Sequence, residues 1–148
     1  MILISHRGNL EGKNPTQENS PNYIWEAILK GVSVEIDIWY IDGKFKLGHD
    51  NPQYDFPFEL MKNHSKKLWI HCKNLDAMSQ LSELDRGGIH LNYFWHQKDD
   101  VALTSKGYLW AYPGKNVDNS IAVLPEIHND NLDNRIGICS DEILKYKK

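Results

Sequence analysis

The chain is punctuated into short apolar runs: "MILIS" (1–5), "VSVEIDIWYI" (32–41), "KLWIHC" (67–72), "GIHLNYFW" (88–95), "GYLWAY" (107–112), "SIAVLP" (120–125) and "RIGICS" (135–140). Each is bounded by Gly, Pro, Asn or Asp, and most are rich in β-branched or aromatic side chains, as strands are. About seven strands are expected. Helical signals are fewer. Ser20 and Pro21 form an N-cap and first-turn pair, and Tyr23, Ile24, Ala27 and Ile28 recur at helical spacing before Gly31. Asn74 caps a second helix over 75–84, closed by Gly87 and Gly88, and Phe58 to His64 forms a short third.

Strand, helix and strand over residues 1–41 make one βαβ unit, and residues 68–95 make another. Such units build parallel sheets with right-handed crossovers, whose functional side chains gather at the C-terminal strand ends. The connections at 95–108 and 113–120 are polar and carry little helical pattern. The expectation is a single α/β domain over 1–148. If its sheet closes into a barrel, the outer helical ring is incomplete.

Lys and Arg number 17 against 20 Asp and Glu, a formal charge of −3. A bulk polyanion such as nucleic acid is therefore not expected as a partner, and any bound anion should be small and local. The first residues lack a secretory pattern and no segment approaches the ~18 apolar residues of a membrane span, so a soluble cytoplasmic protein is expected. Cys72 and Cys139 sit inside apolar runs without a CxxC pair, which points to buried thiols rather than a zinc or redox centre.

Polar residues interrupt these runs at particular places. Ile2 to Ile4 ends in Ser5, His6, Arg7 and Gly8, so a buried strand presents a base and a cation at its mouth. In "VEIDI", Val34, Ile36 and Ile38 point one way and Glu35 and Asp37 the other. Two carboxylates about 6 to 7 Å apart along a strand can share a divalent cation, or form the exposed polar face of an antiparallel strand. The turn at Asp42–Gly43 returns a short strand, Phe45 to Leu47, and brings His49 back towards the same mouth. Histidines with an ordinary pKa near ~6.5 exchange protons at neutral pH. In "LWIHCKN", His71 and Lys73 share a face with Cys72 opposite; Lys73 either supplies fixed charge for a phosphate oxygen or snorkels at a strand end. His90, Asn92 and His96 share one parity, and Trp110 and Tyr112 either line a pocket or fill the core.

The order of "HRG", "ENS", "VEIDI", "DGK" and "GHD" within residues 3–50 resembles the glycerophosphodiester phosphodiesterase family of the phosphatidylinositol-phosphodiesterase-like superfamily. "LWIHCK" is similar to that family's third strand and "IGICSD" to its closing strand. His71 stands where the family has a glutamate, and the chain is far shorter than the family's ~230 to 250 residues. The resemblance implies a compact, reduced (β/α) barrel of TIM type and a metal-dependent phosphodiester hydrolase acting on a small glycerophosphodiester-like or sugar-linked substrate.

By position, the resemblance makes His6 and His49 the acid and base pair and Arg7 a phosphate ligand. Lys73 becomes a phosphate contact, and Glu18 a supporting carboxylate on the substrate side. Glu35 and Asp37 become metal ligands, with His71 or Glu126 replacing the missing carboxylate. Mg2+ or Ca2+ suits the oxygen ligands, whereas a His71 nitrogen favours Mn2+ or Zn2+. Trp110 is expected against the organic part of the substrate. Two alternatives keep the same residues: a catalytically silent phosphate-binding module, and a lyase that forms a cyclic phosphate. The incomplete helical ring also leads to an expectation of homo-oligomers.

Overall fold

The structure, a computed structural model, describes residues 1–148. Ten strands and three α-helices make up a mixed α/β fold: β1 (Ile2–His6), α1 (Pro21–Leu29), β2 (Ser33–Ile41), β3 (Lys44–Leu47), β4 (Tyr54–Asp55), α2 (Phe58–Asn63), β5 (Leu68–Cys72), α3 (Leu75–Arg86), β6 (Asn92–Phe94), β7 (Val101–Leu103), β8 (Leu109–Ala111), β9 (Ser120–Val123) and β10 (Gly137–Ser140). Short 3-10 turns at Pro125–Ile127 and Ile143–Tyr146 flank β10. No helix is long and apolar enough to cross a membrane.

Both expected caps form. Ser20 accepts a hydrogen bond from the Tyr23 amide, and Asn74 Oδ1 accepts one from the Ala77 amide at 3.0 Å. Asn74 also brackets Tyr40 on β2, accepting from its amide at 3.1 Å and donating to its carbonyl at 3.0 Å, which ties the start of α3 to the sheet. No α-helix follows residue 86, so the expected shortage of helices is real.

Parallel pairing runs β6, β5, β2, β1, β10, β9, β8, with the β3–β4 hairpin branching antiparallel from the far half of β2 and β7 antiparallel to β8. The sheet is curled. Ser105, in the turn after β7, donates its amide to the Tyr93 carbonyl at 2.8 Å, and its hydroxyl accepts from the Tyr93 amide at 2.9 Å, bringing the β7 side towards β6.

Side-chain alternation then divides two cores. Val34, Ile36 and Ile38 on the convex face pack with Ile70, Cys72, Ala77 and Leu81 beneath the helices. On the concave face Ile4, Trp69, Phe94, Trp110, Ile121, Val123 and Cys139 fill the interior. Gly137 makes room there, because a Cβ at that position would lie 2.6 Å from Ile121 Cδ1 and 2.9 Å from Ile2 Cβ. The apolar filling stops at the C-terminal strand ends, where the same face continues as His6, Glu35, Asp37 and His71, paired in register. Both cysteines are buried and free, as expected.

Candidate functional site

Strand register brings the polar residues together. His6 pairs with Glu35 across β1 and β2, and Asp37 pairs with His71 across β2 and β5, so all four point into the mouth of the curl. Arg7 follows at φ 55° and Asn19 at φ 64°, left-handed backbone that L-residues rarely adopt outside constrained sites. The turn is held by hydrogen bonds from the Arg7 amide to the Glu35 carbonyl at 3.0 Å and from the Asn19 amide to the Arg7 carbonyl at 3.0 Å.

Arg7 reaches three partners: its Nε lies 3.0 Å from Asp37 Oδ2, Nη1 lies 3.2 Å from Glu18 Oε2, and Nη2 lies 2.7 Å from His49 Nδ1. The loop carrying His49 depends on Gly48 (φ 154°), where a Cβ would meet the Asn51 carbonyl oxygen at 1.9 Å. Trp39 Nε1 donates to the Gly48 carbonyl at 2.6 Å, and the Gly48 amide donates to the Asp37 carbonyl at 3.1 Å.

Glu35, Asp37 and His71 form the one cluster of potential metal ligands, with ligand atoms within 4.8 Å of one another. Glu35 and Asp37 are buried, and Glu35 Oε2 and Asp37 Oδ1 have no hydrogen-bond partner. His71 donates from Nε2 to the His96 carbonyl at 2.9 Å, which leaves Nδ1 facing Asp37 Oδ1 at 3.2 Å and Glu35 Oε1 at 3.9 Å. Only a proton on Nδ1 or a cation between these atoms removes the repulsion of their lone pairs.

Burial and the adjacent Asp37 charge push the Glu35 carboxyl well above its usual range. Burial alone would also raise Asp37, but the adjacent His49 and His71 rings and the Arg7 guanidinium hold it well below. Around the mouth the acidic side chains of Glu18, Glu35, Asp37, Asp50 and Asp141 outnumber the cations of Arg7, Lys13 and Lys73. The oxygen-rich, charge-deficient trio therefore fits a divalent cation.

His6 and His49 lie on the same cleft. His6 donates from Nδ1 to Asp141 Oδ1 at 2.7 Å, which turns Nε2 inward, 3.9 Å from Glu35 Oε2. Asn9 donates from Nδ2 to both Glu18 Oε1 (2.9 Å) and Asp141 Oδ1 (2.8 Å), fixing the two carboxylates that flank His6 and Arg7. Lys73 Nζ stands 4.0 Å from Asp37 Oδ1.

Several expectations change. Glu126 is outside the cluster: its Oε1 accepts from Ser140 Oγ and the Asp141 amide, both at 3.0 Å, so it shapes the end of β10, and the third member of the cluster is His71. Glu18 stands in the cleft wall as the expected supporting carboxylate, accepting from Arg7 and Asn9. Trp110 is 4% exposed and packs on Phe94, with ring centroids 4.7 Å apart, so it is mainly core with an edge in the cleft floor. His90 is exposed and pairs with Asp85 instead of turning inward with Asn92.

Asp141, Asn9 and Asn19 carry no assigned role in the sequence reading. Asn19 donates to Asp37 Oδ2 and accepts from the Asp37 amide, each at 2.9 Å. Its signal is the asparagine of "ENS", and that of Asp141 is the acid ending "IGICSD". Comparison with protein-family models, with curated proteins and with solved structures finds no match for this chain.

Proposed function

We propose that this protein is a metal-dependent phosphodiester hydrolase built on a reduced (β/α) barrel of TIM type. The observation that carries it is the convergence, in one cleft, of two histidines, Arg7 and Lys73 on the Glu35–Asp37–His71 trio. The tie from Ser105 to Tyr93 supports the barrel, since it joins the two flanks of the curled sheet.

Hydrolysis adds water across one P–O ester bond, giving a phosphomonoester and an alcohol. A base must take a proton from the water and an acid must give one to the departing alkoxide. His6, oriented by Asp141, and His49, held against Arg7, supply the two proton-transfer groups. Arg7 and Lys73 present positive charge to the phosphoryl oxygens, where negative charge grows. Arg7 is fixed in place by Glu18 and Asp37, so little reorganisation is needed when the phosphate arrives. Glu35, Asp37 and His71 would hold the divalent ion, which supplies further charge neutralisation and lowers the pKa of a bound water. The nitrogen donor favours Mn2+ or Zn2+ over Ca2+.

The test is release of p-nitrophenol from bis(p-nitrophenyl) phosphate with added Mn2+, Zn2+, Mg2+ or Ca2+, for the wild type and for His6→Ala and His49→Ala. Each substitution should lower kcat by about 10²- to 10⁴-fold. Turnover that survives both substitutions overturns the mechanism.

A further inference from the structure

A second cavity, on the convex side of the sheet, shares no residue with the cleft. It arises because β2 outruns its parallel neighbour. Pairing with β5 ends at Ile38 and Cys72, while β2 continues to Ile41 against β3 alone. Asn74 takes the Tyr40 backbone in place of a strand, and a space of about 450 Å³ is left between the hairpin and α3. Four aromatic rings line it, Tyr40, Phe45, Phe56 and Phe58, together with Gln80 and Leu84 of α3. Phe45 and Phe56 are buried, and Tyr40 and Phe58 are half-buried. The Tyr40 and Phe45 ring centroids lie 4.8 Å apart, and those of Phe45 and Phe58 6.4 Å apart with planes inclined at 28°. Stiff rings of this kind offer apolar contact at little entropic cost.

The polar side chains at the cavity are Lys44, Asp55 and Gln80. Lys46 takes Asp55 at 3.1 Å, so Lys44 remains as the uncompensated cation and Gln80 as a donor beside it. An apolar body with one negative charge meets both features. A phosphate dianion calls for clustered guanidinium and ammonium groups such as those at the mouth. The two strands that line the cavity, β3 and β4, are also the ones joined by the loop of Gly48 and His49. We propose that this cavity is a second binding site, for a small carboxylate with an apolar body: the carboxylate meets Lys44 and the body lies among the four rings. The bound acid bridges the hairpin and α3 and so steadies the loop that holds His49 against Arg7.

The test is calorimetric titration of the wild type, Lys44→Glu and Gln80→Trp with octanoate and with octylammonium, two ions of equal chain length. It needs no turnover, so its outcome is independent of the hydrolase reading. Lys44 attracts one ion and repels the other, so octanoate should bind the wild type about tenfold more tightly than octylammonium, and Lys44→Glu should reverse the order. Gln80→Trp fills the cavity and should abolish the binding of both. Equal affinities in the wild type, a preference unchanged by Lys44→Glu, octanoate binding that survives Gln80→Trp, or no octanoate binding at all overturns the proposal. At ten times its Kd, octanoate should also slow amide exchange across residues 43–56 about tenfold, because the bound form opposes local opening. Exchange there that is indifferent to bound octanoate overturns the link to His49.

Discussion

Glu35 shows most clearly what the site costs. It is buried, has an oxygen without a hydrogen-bond partner, and lies beside the ionised Asp37. A carboxyl whose pKa is raised in the folded state lowers stability once pH exceeds its ordinary value, because folding then retains a proton that the unfolded chain has lost. Glu35→Gln removes that repulsion and lets an amide donate towards Asp37. Denaturant unfolding at pH 7 should show the variant about 1 kcal/mol more stable than the metal-free wild type. Calorimetry should show cation binding lost in the same variant. Asp141 has the opposite sign. Burial pushes its carboxyl up, but the hydrogen bond from His6, with help from Asn9 and Arg7, holds it below the usual range. Its stabilisation is therefore present above its ordinary pKa, near ~4, and disappears as pH falls through the depressed value. Asp141→Asn should lose stability less steeply than the wild type between about pH 4 and pH 2 in acid titrations followed by tryptophan fluorescence. A parallel slope would mean that Asp141 is not ionised against His6. No local signal in the sequence joins these two residues, which lie 135 positions apart. The Glu35–Asp37 pair was legible because strand alternation is a local property, whereas the Asp141 contact exists only once β10 lies beside β1.

Among the elements, the hairpin after β2 carries the most function for its size. It returns His49 to the mouth through Gly48, whose backbone no side chain fits, with the Asn51 carbonyl 1.9 Å from any added Cβ. Gly48→Ala should displace the loop and reduce turnover by more than tenfold while leaving far-ultraviolet circular dichroism near that of the wild type, since Gly48 lies outside the strands. Unchanged turnover would separate His49 from catalysis. The long elements β2, β5, α1 and α3 were visible in the sequence because they bury whole faces and declare their period. β4 and β7, of two and three residues, are too short to show any period and exist through pairing with β3 and β8. In the same way the C-terminal runs at 107–112 and 88–95 shrink to strands of three residues, since their ends turn away from the sheet.

Across the whole molecule the two faces of the curled sheet are unequal. Twenty buried residues pack beneath α1, α2 and α3 around β2 and β5, but only eight fill the concave side. Hydrogen exchange should therefore find the slowest amides in Val34–Ile38 and Ile70–Cys72 and the fastest strand amides in Val101–Leu103, whose edge has one strand partner. Uniform protection across β2 and β7 would contradict that division. The concave side gives up apolar filling at its mouth to hold charged groups. The parallel strand order and the scarcity of late helices also follow from the spacing of the apolar runs and the polar connections between them. We propose that this mouth hydrolyses a phosphodiester with a bound divalent ion, and phosphorus NMR of a glycerophosphodiester incubated with the protein and Mn2+ is the decisive experiment. A phosphomonoester resonance should grow, stop growing when the metal is chelated and resume when it is restored. An unchanged diester resonance under every divalent metal, or turnover indifferent to chelation, would contradict it.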